Sequence, residues 1–168
     1  SKNAPYGSRS DEEILKLTKN VVNRLMDMKI KALVIACNTS TSAAIEQLRN
    51  EFNIPIVGIE PAVKLAVERN KGGNILVMAT EATLRRKKYK SLVERYDIDG
   101  KVISIPCKGL VDLIEEGHTK DDEIEAYLNN LLSDYKNDSG IIVLGCTHYP
   151  FIKKTLSKVM ENYETIDG

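Results

Sequence analysis

The sequence lacks a surplus of charge: 24 acidic residues balance 24 basic ones and the formal net charge is zero. A chain that held nucleic acid or an anionic bilayer by electrostatics would carry a basic excess, so neither is an expected partner. Long apolar runs are missing too. No stretch approaches the roughly 20 residues that span a bilayer, and the opening SKNAPYGSRS has no apolar core of an export signal. The expectation is a cytoplasmic protein with no membrane contact. Glycine loops of the G-x-x-x-x-G-K and G-x-G-x-x-G kinds are absent. Cysteine is scarce: Cys37, Cys107 and Cys146 are an odd number with no C-x-x-C pair, which argues against a disulfide framework. Only His118 and His148 could join them, a thin supply of metal ligands. No metal and no organic cofactor are expected, which leaves a small molecule as the partner.

What is present is an alternation of short, β-branched apolar runs with amphipathic stretches, the pattern of an α/β protein around a mostly parallel sheet. Strands are predicted at 32–36, 54–57, 74–78, 102–105, 141–144 and 164–166. Helices are predicted at 11–28, 42–52, 61–70, 81–96, 109–116, 120–135 and 150–162. The first has Ser10 or Asp11 as N-cap and presents Ile14, Leu15, Val21, Val22, Leu25 and Met26 on one face. Pro61 and Pro150 suit first helical turns, where a missing N–H costs nothing.

Two segments resemble each other. ALVIACNTSTSA, from Ala32, and GIIVLGCTHYPF, from Gly140, both read as a buried strand ending in cysteine, then a polar pair (Asn38 and Thr39, or Thr147 and His148), then a helix. In open α/β sheets ligands bind beyond the carboxyl ends of the strands, so Cys37 and Cys146 stand where catalytic residues stand. A helix N-terminus after each cysteine is expected to lower its thiol pKa, and His148 can hold or pass a proton. Two thiols on opposite sides of one substrate suit inversion at a carbon: one takes a proton and the other returns one. Fixed donors such as Asn38, Thr39 and Thr147 would steady the carbanion-like transition state. Cys107, in SIPCKG, lacks such a setting and is expected to pack.

At these residues a family resemblance emerges. ACNTSTSA around Cys37 and LGCTHYP around Cys146 resemble the two signature segments of the glutamate racemases, within the aspartate and glutamate racemase superfamily. APYGSRS near the start, GIEPA at Gly58, ATEAT at Ala79 and, more loosely, LVDLIEEG from Leu110 follow in the family's order. The resemblance implies two similar lobes with mostly parallel sheets flanked by helices and an active site in the cleft between them. It implies a partial first lobe at 1–60, a second lobe at 61–162, and a start of the return to the first lobe at 163–168.

It further implies cofactor-independent interconversion of L- and D-glutamate, supplying D-glutamate for peptidoglycan, with an amino acid as small-molecule partner and room for a homodimer. Cys37 and Cys146 would be the acid/base thiols, with His148 assisting Cys146 and Glu115, or its neighbour Glu116, on the histidine side. Pro5, Tyr6, Gly7 and Ser8 would line the substrate site; Asn38, Thr39, Thr80, Thr83 and Thr147 would hold the substrate's carboxylates and amino group. An aspartate racemase or another two-cysteine isomerase is the alternative. Family members begin with a strand and a glycine-rich turn carrying an aspartate and a serine, and continue past YETIDG into further helices. Neither stretch lies in this sequence, so a catalytically incomplete fragment is also an expectation. A thiol redox or metal-binding module fits the cysteine spacing poorly.

Overall fold

Runs that are apolar at every position suit strands covered on both sheet faces. The computed structural model, which describes residues 5–97, 99–116 and 121–167, has six strands: β1 Leu33–Ile35, β2 Ile56–Gly58, β3 Asn74–Ala79, β4 Val102–Pro106, β5 Gly140–Leu144 and β6 Tyr163–Asp167. Between them run α1 Asp11–Asp27, α2 Asn38–Glu51, α3 Val63–Arg69, α4 Glu81–Leu84, α5 Lys87–Tyr96, α6 Leu110–Glu115, α7 Asp121–Leu131 and α8 Lys153–Val159, with single 3-10 turns at Ser133–Tyr135 and Tyr149–Ile152. The architecture is α/β, and every strand pairing is parallel.

Four strands form one sheet in the order β4-β3-β5-β6. The period-2 alternation of β3 and β5 divides their side chains between two cores. Ile75, Val77, Ile141 and Val143 pack under α3 and α5 with Val63, Ala66, Tyr89 and Leu92. Leu76, Met78, Ile142 and Leu144 face α6, α7 and α8, against Leu110, Leu128 and Leu156. Truncating any one of these leucines to alanine costs roughly 2–5 kcal/mol, so this sheet is the rigid part of the molecule. The other two strands, β1 and β2, pack Leu33, Ile35 and Ile56 onto Val22 of α1 and Ala44, Ile45 and Leu48 of α2. Their opposite face carries Val34 and Val57, paired in register and exposed.

Local chemistry explains the boundaries. Ser10 caps α1 in a reciprocal box with Glu13, each side chain bonded to the other's backbone N–H. Val21, expected on the core face, is 51% exposed, because it falls on the flank of a stripe centred between Thr18 and Val22. The helix predicted from Ser42 starts at Asn38, directly after Cys37. The helix predicted over 81–96 breaks at Arg85 and Arg86: Thr80 caps the one-turn α4, and Arg86 takes an extended backbone as N-cap of α5. The predicted start at Lys120 lies outside the described residues, and α7 ends in the 3-10 turn at Ser133. Residues 163–167 form β6, an edge strand of the four-stranded sheet whose Tyr163 and Ile166 are buried; Gly168 lies outside the described residues. Among the described residues, no helix is long and apolar enough to cross a membrane.

Candidate active site

The carboxyl ends of β1, β3, β4 and β5 lead into Cys37, Thr80, Cys107 and Cys146 respectively. Cys37 is the N-cap residue of α2, with extended backbone, and its carbonyl accepts from Thr41 N–H at 2.8 Å. The first turn of this 14-residue helix therefore lies against the thiol, with no acidic residue in it. Thr41 fixes that turn to the strand by donating to the Ile35 carbonyl at 3.1 Å.

Three hydroxyls join α2 to the end of β3. Thr39 Oγ1 lies 3.0 Å from Thr80 Oγ1 and 3.2 Å from Thr83 Oγ1, and the last two are 3.1 Å apart, so the three form a closed ring. All three residues are buried. Across from them the segment Pro5 to Ser10 lies against Thr80, so closely that a Cβ on Gly7 would stand 2.9 Å from the Thr80 Cβ.

After β5, Gly145 lets the backbone pass close to β3: its N–H donates to the Met78 carbonyl at 2.7 Å, and a Cβ there would sit 2.8 Å from the same oxygen. That contact sets Cys146 at the lip of the sheet. Cys146 Sγ is 3.7 Å from His148 Nδ1, and His148 Nε2 is 2.6 Å from Glu115 Oε1 at the end of α6. The three side chains form a chain from the half-buried sulfur to an exposed carboxylate. The hydrogen bond to His148 holds the Glu115 carboxyl below the ordinary range. Glu115 rather than Glu116 meets the imidazole.

The expected lowering of the Cys146 thiol does not occur. Burial pushes it up to about 11, against a smaller opposing effect from the His148 backbone N–H, and the nearby Cys37 adds to the rise. No α-helix begins beside it: a 3-10 turn comes first and α8 starts only at Lys153. Cys107 is buried in the core beside Leu76, Met78 and Leu110, and burial pushes it up to about 12, as expected of a packing cysteine.

Pro5, Tyr6, Gly7, Cys37, Thr39, Thr80, Glu115, Cys146, Thr147 and His148 all border one open pocket of about 290 Å³. Ser8 instead borders a neighbouring recess of about 180 Å³ with Lys108 and Asp112. Asn38 and Thr83 lie behind the pocket wall, where both border a narrow cleft next to Tyr89. Val111 lines the pocket without having been singled out; its only sequence signal is an apolar position on α6. Two thiols, a histidine backed by a carboxylate, and hydroxyl donors surround a space of small-molecule size. That set can take a proton from one side of a ligand and return one from another. Among the described residues no group of three His, Cys, Asp or Glu is gathered to hold a metal; His118 lies outside them.

A family model described as Asp/Glu/Hydantoin racemase matches residues 1–168. The glutamate racemase of Clostridium acetobutylicum is 51% identical over 170 residues, an alignment that takes in 100% of this chain and 66% of that protein. Among solved structures, a glutamate racemase isoform from Bacillus anthracis superposes with a TM-score of 0.86 at 29% identity, over 99% of this chain and 64% of that one. The Escherichia coli glutamate racemase, solved with L-glutamate and the activator UDP-MurNAc-ala, also gives a TM-score of 0.86, at 27% identity over 98% of this chain and 64% of that one.

Proposed function

Because this chain belongs to the Asp/Glu/Hydantoin racemase family, we propose that it carries the two-thiol centre of a glutamate racemase that needs no cofactor. The observation that carries this reading is the pair Cys37 and Cys146 bordering one pocket, with Thr39 and Thr80 of the hydroxyl ring on the same lining. The division into a first lobe at 1–60 and a second lobe from 61 belongs to the same reading. D-glutamate for peptidoglycan, made in the cytoplasm, is the cellular role it serves.

In the L to D direction the Cys146 thiol first passes its proton to His148 Nδ1, and Glu115 offsets the imidazolium charge. The Cys146 thiolate then takes the α-proton of L-glutamate, leaving the bonding pair on carbon, and the Cys37 thiol donates its proton to the opposite face. D-glutamate, a Cys146 thiol and a Cys37 thiolate result, and the reverse reaction retraces these steps. Thr80 holds the substrate carboxylate, and Thr39 and Thr147 donate to it as charge builds on it, where fixed dipoles contribute most.

The test uses the chain alone and extended to the length of its relatives. Glutamate and aspartate are each incubated in D₂O, with racemisation followed by circular dichroism and α-deuteration by mass spectrometry. A positioned acid or base is worth about 10²- to 10⁴-fold, so Cys37→Ser and Cys146→Ser each lower racemisation at least that much in both directions. With a substrate bearing a leaving group on the neighbouring carbon, each variant keeps elimination for one enantiomer: L for Cys37→Ser, D for Cys146→Ser. Both variants processing the same enantiomer, or no α-deuteration by the extended protein, overturns the reading. Faster turnover of aspartate reassigns the substrate.

A further inference from the structure

Arg85 and Arg86 stand where the helix predicted over 81–96 breaks, and the break decides what the two can reach. On an uninterrupted helix adjacent side chains do not face one partner. Here Arg85 ends α4 as its C-cap and Arg86, with extended backbone, opens α5. Both guanidinium groups then converge on a single atom: Arg85 Nη2 donates to Asp11 Oδ1 at 3.1 Å, and Arg86 Nη2 donates to the same oxygen at 2.8 Å. Arg85 Nη2 also donates to the Arg9 carbonyl at 3.1 Å. Arg9 and Asp11 flank Ser10, the N-cap of α1, so the pair grips the chain where the N-terminal segment becomes a helix.

That segment borders the pocket. Arg9 N–H closes a turn over 6–9 by donating to the Tyr6 carbonyl at 3.2 Å, and Arg9 Nε donates to the Pro5 carbonyl at 3.3 Å. Pro5, Tyr6 and Gly7 line the pocket, with Gly7 against Thr80. The other side of the grip is anchored. Arg86 is 6% exposed, and its Nη1 donates to the Ala82 carbonyl and, at 3.4 Å, to Ser42 Oγ of α2. Thr80 and Thr83 tie the start of α4 to Thr39 of α2, so α4 is a short bracket with the hydroxyl ring at one end and the arginines at the other. As a stability device the arrangement is poor: two cations face the N-terminus of α1 and share one carboxylate, and Arg86 Nε is buried with no hydrogen-bond partner.

We propose that Arg85 and Arg86 are positioning residues for substrate binding: through Arg9 and Asp11 they hold the turn over 6–9 against Thr80, so that Pro5, Tyr6 and Gly7 keep their places in the pocket wall. The inference rests on reading the pocket as the glutamate site, but the hold on the turn can be read without turnover.

Hydrogen exchange at the Arg9 amide, followed by NMR, reports on the turn, and KM against kcat for glutamate, in the chain extended to the length of its relatives, reports on the pocket. Arg85→Met speeds exchange at Arg9 roughly threefold or more and leaves Leu76 and Val77 of β3 at the parent rate. KM rises roughly threefold or more while kcat stays within about twofold, because a binding wall is displaced and no reacting group is lost. Arg85→Lys, which keeps the charge and a donor, restores part of both. Arg86→Met acts in the same direction, and if it does not fold Arg85→Met decides. Glu12→Gln, a charge change next to Asp11 on α1, is the control and moves neither reading. Parent-rate exchange at Arg9 in Arg85→Met, faster exchange with KM unchanged, or a loss confined to kcat overturns the proposal. An extended parent that does not racemise glutamate refutes the proposed function instead, and the exchange rates then decide alone whether the arginines hold the turn.

Discussion

His148 Nε2 and Glu115 Oε1, 33 positions apart in sequence, lie 2.6 Å from each other, and the other ring nitrogen faces the Cys146 sulfur at 3.7 Å. A carboxyl held below its ordinary range by that hydrogen bond is ionised at neutral pH and can only accept. In the neutral ring Nε2 therefore carries the hydrogen, and Nδ1 is left as an acceptor for the thiol. The tautomer follows from the network around it.

Glu115→Gln removes that bias, because an amide can donate as well as accept. Racemisation kcat/KM falls roughly tenfold, and equally in both directions since the enantiomers are equal in energy. Elimination separates the two sides of the site: it slows for the L enantiomer, the one assigned to Cys146, and holds for the D. Glu116→Gln is the control and changes neither. Equal slowing of both eliminations in Glu115→Gln would show that the carboxylate does not act through Cys146.

Thr80→Val deletes one corner of the hydroxyl ring and the cap that Thr80 Oγ1 gives to Thr83 N–H at 3.3 Å. Stability drops by about 1–2 kcal/mol in urea titration. KM rises by roughly tenfold with a smaller change in kcat, as expected for a group that binds substrate and transition state alike. A large loss confined to kcat would move Thr80 from holding the substrate to stabilising the transition state alone.

Gly7→Ala places a Cβ 2.9 Å from both Thr80 Cβ and Cγ2. The N-terminal segment must shift, by tenths of an ångström, while the sheet beneath it does not. KM increases by about threefold and the urea midpoint is unaltered. A lowered midpoint would mean that the segment contributes to the global fold.

Alkali tests the buried thiols. Burial raises Cys107 to about 12 and Cys146 to about 11, against about 8.5 in an unfolded chain. A raised pKa means that the fold binds the proton more tightly than the unfolded chain does. Its stabilising effect is complete below pH 8.5 and drains away as pH climbs through 11 and 12, at up to about 1.4 kcal/mol per pH unit for each thiol. Cys107→Ala makes the fall in urea midpoint between pH 8.5 and 10.5 shallower. Parallel curves for parent and variant would remove this cause.

All six strands were legible because a run of β-branched residues between turn signals has few other uses. The start of α2 was not. Asn-Thr-Ser-Thr-Ser reads as loop, since these side chains compete for the backbone in helix interiors. Here the competition is redirected: Thr41 bonds to Ile35, Ser42 to Thr39, and Thr39 to the hydroxyls of Thr80 and Thr83. The break at Arg86 was hidden for a related reason, because its main partner, Asp11, is 75 positions away. The repeated strand-end cysteine pattern singled out the two thiols with their polar followers and the family resemblance most other side chains bordering the pocket, but whether a thiol there would be lowered or raised depended on burial, which a motif does not encode.

The ring of Thr39, Thr80 and Thr83 has three hydroxyl hydrogens and three edges. Closed, it spends every hydrogen on itself and can circulate in either sense. An anion arriving at Thr39 or Thr80, the two corners that border the pocket, gains a donor only by opening an edge. What it gains is therefore the difference between a charge-assisted and a neutral hydrogen bond, about 1 kcal/mol, rather than the whole of the former. An empty pocket consequently has no dangling hydroxyl hydrogen at those corners, and what Thr39 Oγ1 offers without opening the ring is a lone pair, which accepts rather than donates.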